Sequence, residues 1–153
     1  MGTWLSLLPF LAVVAAAAVS GAVFMPGDWY ASLNKPGWTP PDWLFPPAWT
    51  VLYVMIAVAG WLIWSTNGAG LALVMWALNL VFNALWSWLM FGRHRIGLAL
   101  ADAMAMLITI VGFILLARSL NPTAALLFLP YLGWVIFATA LNFEILQRNP
   151  SAA

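Results

Sequence analysis

The stretch Trp43–Gly92, WLFPPAWTVLYVMIAVAGWLIWSTNGAGLALVMWALNLVFNALWSWLMFG, decides how this chain folds, because its fifty positions contain no Asp, Glu, Lys or Arg. A helix that crosses a bilayer needs about 20 mostly apolar residues. The run holds two such lengths, parted at Ser65-Thr66-Asn67-Gly68, a cluster with loop chemistry. Working outward from it, five segments qualify: Thr3–Met25, Pro47–Trp64, Leu71–Phe91, Ile96–Ala117 and Ala124–Leu146. Arg93-His94-Arg95 separates the third from the fourth, and the stretch from Arg118 to Pro122 separates the fourth from the fifth. Transmembrane β-strands would alternate over about ten residues rather than form blocks twice that length. The first segment has no positive n-region, and its apolar run exceeds the usual 7–15 residues or so of a signal peptide, so it reads as a retained helix. The expectation is an all-α integral membrane protein: one membrane domain over residues 1–153, a five-helix bundle with a long loop at 26–46.

The whole-chain composition agrees. Of 153 residues, 65% are hydrophobic and 6% are charged, whereas a soluble domain carries about 25% charged residues. Disordered chains are polar or highly charged, so disorder is excluded. A net charge of +1 offers no electrostatic footprint for nucleic acid. The absence of cysteine removes disulfides, thiolate metal sites and a Cys nucleophile. With four acids and one histidine there is no Ser/His/Asp set, no working carboxylate pair and no metal cluster. Ion-coupled pumps usually carry more ionisable groups along their path. Five spans put Lys35, Arg93, Arg95 and Arg148 on one side and Arg118 on the other. The positive-inside rule then predicts a cytoplasmic C-terminus.

The aromatic residues are unevenly placed. Trp29, Trp38, Trp43 and Trp49 fall within twenty-one residues, alongside Tyr30, Phe45 and five of the ten prolines, with Pro26 just before them. A loop of this length exceeds most helix–helix connections. Asp28 is positioned to cap a short helix from Trp29 to Asn34, and Pro47 suits a first helical turn. The segment reads either as an interfacial aromatic belt or as a stiff lid whose prolines lower its unfolded-state entropy.

Within the spans, polar residues are costly and therefore informative. Trp76, Asn79, Asn83 and Trp86 recur at spacings of three and four and share a helical face, with Ser87 beside them. Trp49, Tyr53, Ile56 and Gly60 form a second stripe, and Tyr131, Trp134, Ala138, Leu141 and Ile145 a third. Rings, small residues and a few hydrogen-bonding groups are what an apolar ligand cavity requires; the other reading of the asparagines is interhelical hydrogen bonding. Asp102, two turns into the fourth span, is expected to form an ion pair or hydrogen bond, or to serve a proton or a substrate. Glu144 and Arg148 have i,i+4 spacing in the favourable order. Ala18 and Ala22 form a small-xxx-small pair of the kind found at helix contacts.

These residues, taken in order, resemble the tryptophan-rich sensory protein/translocator protein family, which includes the peripheral benzodiazepine receptor. The resemblance is carried by Trp29-Tyr30-x2-Leu33-x-Lys35-Pro36-x-Trp38-Thr39-Pro40-Pro41, by Phe45-Pro46-x2-Trp49-Thr50-x-Leu52-Tyr53 and by Asn79-x3-Asn83-x2-Trp86-Ser87. Asp102, Leu129-Pro130-Tyr131-x2-Trp134-x2-Phe137-Ala138 and Leu141-Asn142 extend it over nearly the whole chain. It implies a bundle in a bacterial cell membrane, commonly a homodimer, that binds porphyrins, haem, sterols and benzodiazepine-type drugs beneath the first loop, with no obligatory cofactor. Carried over by motif, the ligand-binding residues are Tyr30, Trp38, Pro40, Trp49, Tyr53, Asn83, Trp86, Trp134, Ala138 and Leu141. The expected function is tetrapyrrole binding for sensing, transport or regulation, with Lys35 meeting a propionate. The alternatives are light-dependent porphyrin breakdown, in which Trp exchanges electrons with the excited ring, and a ligand-controlled scaffold. The C-terminal sterol pattern is imperfect, with Phe143 where Tyr is wanted.

Overall fold

Prolines and glycines set the helix boundaries in the computed structural model, which describes residues 3–152. Every regular element among the described residues is helical. A 3-10 turn at Trp4–Leu7 leads into α1 (Leu8–Val23), whose Pro9 lies in the first turn, where a missing N–H costs nothing. The short α2 (Asp28–Ser32) follows, then a 3-10 turn at Asp42–Leu44 and α3 (Phe45–Asn67). Next come α4 (Leu71–Ser87), which runs on through a π-helical turn at Trp88–Gly92, and α5 (Ile96–Leu120). The chain closes with α6 (Pro122–Leu127), α7 (Leu129–Arg148) and a final turn at Pro150–Ala152. Five stretches are long and apolar enough to cross a membrane: Trp4–Val23, Asp42–Asn67, Leu71–Gly92, Ile96–Leu120 and Pro122–Arg148.

The five spans are those expected, with different edges. The second begins earlier than Pro47, because Pro46 and Pro47 both fit the first turn of α3, where no N–H is needed. The fifth is broken rather than continuous. Phe128 stands between α6 and α7 because Pro130 removes an N–H donor and crowds the preceding turn. Asp28 is not a cap: Gly27 holds that position and Asp28 is the first residue of α2, where its charge still favours the helix N-terminus. Gly68, at φ 71°, ends α3 in the left-handed region that glycine enters without a Cβ penalty.

Around the bundle, α1 packs between α3 and α4, α4 packs on α5, α5 on α6 and α7, and α6 closes against α3. One end of the ring is tight. There Asn121 Nδ2 donates to Thr66 Oγ1 at 3.0 Å, Trp4 stacks on Trp61 at 5.7 Å, and Trp61 Nε1 donates to Ser6 Oγ at 2.7 Å. Deeper in, Trp76 crosses from α4 to donate its indole N–H to the Ile56 carbonyl at 2.8 Å. Gly60 makes room for that ring, since a methyl group there would overlap it. Towards the other end the loop between α1 and α3 contributes Pro26 and Asp42 to the wall of a cavity.

Three segments meet at that end. Trp29 stacks flat on His94, with centroids 4.1 Å apart and planes 6° from parallel. The backbone N–H of Asn34 donates to Asn149 Oδ1 at 2.9 Å, and Asn149 Nδ2 returns a bond to the Asn34 carbonyl at 2.8 Å. The basic residues Lys35, Arg93, Arg95 and Arg148 therefore share one end of the molecule. Glu144 and Arg148 pair at 3.4 Å as their spacing suggested. Asp102 does not form the expected ion pair: it is buried, and its Oδ2 has no hydrogen-bond partner among the described residues.

Candidate functional site: a ring-lined cavity beneath the loop

A cavity of about 430 Å³ lies under the loop, between the C-terminal ends of α1 and α4 and the N-terminal end of α3. That volume falls within the range of about 300–1,000 Å³ typical of small-molecule sites. The short side chains Ala18, Gly21 and Ala22 form its α1 wall. The α1 pair whose spacing suggested a helix contact thus thins the bundle to make space. α3 contributes Phe45, Trp49 and Tyr53; α4 and its π turn contribute Asn83, Trp86 and Phe91. Ala103 and Met106 of α5 and Trp134, Val135 and Ala138 of α7 complete the enclosure.

The rings hold one another in place. Trp49 stacks on Tyr53 at 5.4 Å and meets Trp134 edge-on at 6.2 Å. Phe45 meets Trp134 at 6.0 Å, and Trp86 meets Phe91 at 5.4 Å, both edge-on. Such T-shaped contacts suit the aromatic quadrupole and contribute about 0.5–1.5 kcal/mol each beyond burial. Beneath them runs a chain of hydrogen bonds through three helices. Tyr53 donates to Asn83 Oδ1 at 2.7 Å, Asn83 Nδ2 donates to the Tyr131 hydroxyl at 3.0 Å, and Tyr131 donates to Asn79 Oδ1 at 2.8 Å. Asn79 ends the chain on the Trp76 carbonyl. Trp86 is fixed separately, its indole N–H reaching Asn142 Oδ1 at 3.0 Å, while Asn142 Nδ2 donates to the Ile96 carbonyl at 3.1 Å. The indole N–H of Trp134 is enclosed without a partner among the described residues.

Six of the residues singled out from the sequence meet on this wall: Trp49, Tyr53, Asn83, Trp86, Trp134 and Ala138. The other four stand elsewhere. Tyr30 is buried and packs edge-on against Phe91 at 5.3 Å, anchoring α2. Leu141 is buried in the same packing layer as Tyr30. Trp38 is 47% exposed and rests on Phe137 at 5.5 Å. Pro40 borders a second, shallower concavity in the loop. Lys35 directs its ammonium to the carbonyls of Tyr30 at 2.7 Å, Leu33 at 3.3 Å and Ala31 at 3.4 Å, and so caps α2. Burial pushes the Tyr30 hydroxyl up from 10.0 to about 12, and the Asp42 carboxylate adds to the shift. Sequence reasoning missed the α1 wall and the α5 wall, because Ala18, Gly21, Ala22 and Ala103 have no chemistry to signal a site. Asp42, in the 3-10 turn before α3, also lines the cavity and was not singled out from the sequence.

The match to known proteins spans the spans and the loop together. The TspO/MBR family model matches residues 8–148. The chain is 42% identical over 146 residues to the tryptophan-rich sensory protein of Cereibacter sphaeroides, covering 95% of this chain and 92% of that one. It is 37% identical to the tryptophan-rich protein TspO of Archaeoglobus fulgidus, over 95% of this chain and 97% of that one. It is 30% identical to the human translocator protein, over 95% and 91%. With five membrane spans and a family match from the first span to the end of the last, the chain is a multi-pass membrane protein and belongs to the TspO/MBR family.

Proposed function

We propose that the cavity is a binding site for flat, largely apolar ligands, tetrapyrroles such as protoporphyrin IX and haem foremost, and that occupancy serves sensing or movement of those ligands at the membrane. The observation that carries this reading is the wall itself: Trp49, Trp86, Trp134, Tyr53 and Phe45 surround one 430 Å³ space, with Asn83 as an interior polar group. Each such ring offers about 150–250 Å² of surface for stacking, which favours a macrocycle over a puckered sterol. Benzodiazepine-type drugs fit the same description on a smaller scale. The names of the relatives, a sensory protein and a translocator protein, agree with a role in sensing or transport. A resident cofactor is not required by this reading.

The test is quenching of intrinsic tryptophan fluorescence by protoporphyrin in the dark. Trp134→Ala is expected to weaken binding about threefold to tenfold, by loss of a ring contact worth about 0.5–1.5 kcal/mol. Trp38→Ala, whose ring rests on Phe137, is expected to weaken it less. Unchanged affinity in Trp134→Ala overturns the assignment.

A further inference from the structure

The hydroxyl and amide groups on the cavity wall are nearly all spent on the protein itself. Thr50 Oγ1 donates to the Pro46 carbonyl at 2.7 Å. Tyr53 donates to Asn83 Oδ1 and Asn83 Nδ2 donates to Tyr131, so that amide is engaged at both ends. Ser87 is the exception. It lines the cavity, half-buried, and its hydroxyl forms no hydrogen bond with another group among the described residues. Serine and threonine hydroxyls on a helix commonly donate back to a carbonyl one turn earlier, as Thr50 does. Ser20, on the neighbouring α1, donates instead across to the Ala84 carbonyl. The same helix leaves the Ser87 hydroxyl uncovered: Gly21 lies beside it, and a methyl group there would stand 3.7 Å from Ser87 Oγ. Ala18 and Ala22, which share that wall, are short as well. Trp49 and Trp134 belong to α3 and α7, so the free hydroxyl and those two rings come from different walls of one space.

We infer that Ser87 is a specificity-determining residue of the cavity, whose hydroxyl bonds a carbonyl or carboxyl group on the ligand's edge while Trp49 and Trp134 take its flat body. The inference rests on the ligand-binding reading above and deepens it. A tetrapyrrole meets both conditions, since its ring is flat and its carboxyl side chains leave from one edge. The ring then lies towards the α3 and α7 wall, and that edge turns to the wall of α1 and α4. A hydroxyl both donates and accepts, so an ionised acid, a neutral acid and an ester are all served. A hydrocarbon ligand of the same shape gains nothing from the hydroxyl and leaves it unpaired.

Three porphyrins with one ring system and different edges test this: protoporphyrin, its dimethyl ester, and an octaalkylporphyrin with no oxygen at all. Their dissociation constants are read by tryptophan quenching in the dark, in the wild type and in Ser87→Ala. Both proteins are first checked for helical circular dichroism and thermal midpoint, which are expected to agree because the substitution removes no bond within the protein. The measure is the ratio of variant to wild-type constants for each ligand, in which partition into detergent cancels. Ser87→Ala is expected to weaken the two oxygen-bearing porphyrins about threefold to tenfold, the scale of one hydrogen bond, and to leave the octaalkylporphyrin within about twofold. An equal change for all three ligands, or none for any, overturns the inference and spares the binding reading. Failure of all three porphyrins to bind the wild type overturns the reading itself.

Discussion

Asn79 and Asn83 lie one turn apart on α4, and their surroundings divide the roles that composition alone left open. Asn79 is fully enclosed, accepts from Tyr131 and donates to the Trp76 carbonyl, so it ties α4 to α7 and to itself. Asn83 makes comparable ties, to Tyr53 and Tyr131, and also faces the cavity. Replacing Asn79 takes a partner from the Tyr131 hydroxyl, and replacing Asn83 takes one from Tyr53 and Tyr131. Removing one partner of a buried hydrogen bond costs about 1–3 kcal/mol, against an average of about 0.6 kcal/mol for interhelical bonds in membranes. We expect Asn79→Ala to lower the thermal midpoint in detergent while folded protein keeps near wild-type affinity for protoporphyrin. Asn83→Ala should lower both. Equal loss of affinity in the two variants would show that Asn83 acts only through stability. The spacing of these residues was legible in the sequence, since period-four recurrence places them on one face. Which of them reached the space was not, because that depends on how α3 and α7 pack against α4.

At the scale of elements, the loop between α1 and α3 is held rather than merely lying at the headgroup level. Its α2 segment is fastened by the Trp29–His94 stack and by the reciprocal bonds between Asn34 and Asn149. Those fastenings join positions more than a hundred residues apart, 34 and 149, and nothing local in the chain announces them. The clustered prolines and aromatic residues marked the segment as unusual, either as a belt or as a lid. Asn149→Ala removes both hydrogen bonds to Asn34 and a third to the Ile145 carbonyl, each with a net contribution of about 0.5–1.5 kcal/mol. Amide hydrogen exchange across residues 28–36 is expected to quicken about threefold to tenfold, while α5 exchanges as before. Exchange unchanged in the loop would mean that the stack alone holds it. The break at Phe128 belongs to this scale as well. Pro130 was visible as a helix-breaking residue, but the apolar run through Ala124–Leu146 outweighed it in a reading by hydropathy.

For the whole molecule, hydropathy made the five spans readable, since the bilayer requires each to be long, apolar and internally hydrogen-bonded. The order of packing around the ring was not readable, because the polar and aromatic stripes mark a face on some spans without declaring which neighbour each face meets. The gathering of Lys35, Arg93, Arg95 and Arg148 at the loop-bearing end gives the orientation a definite prediction. A cysteine placed at position 152 should react with an impermeant maleimide from the cytoplasmic side of inverted vesicles and resist it in intact cells; the reverse pattern would turn the molecule over. The central claim is that the ring-lined space beneath the loop holds the ligand, and the most direct test is a diffraction structure of the protein crystallised with protoporphyrin. The account predicts density for the macrocycle between Trp49 and Trp134, in van der Waals contact with both indoles. Density for the macrocycle only on the lipid-facing surface, with that space empty, would contradict it.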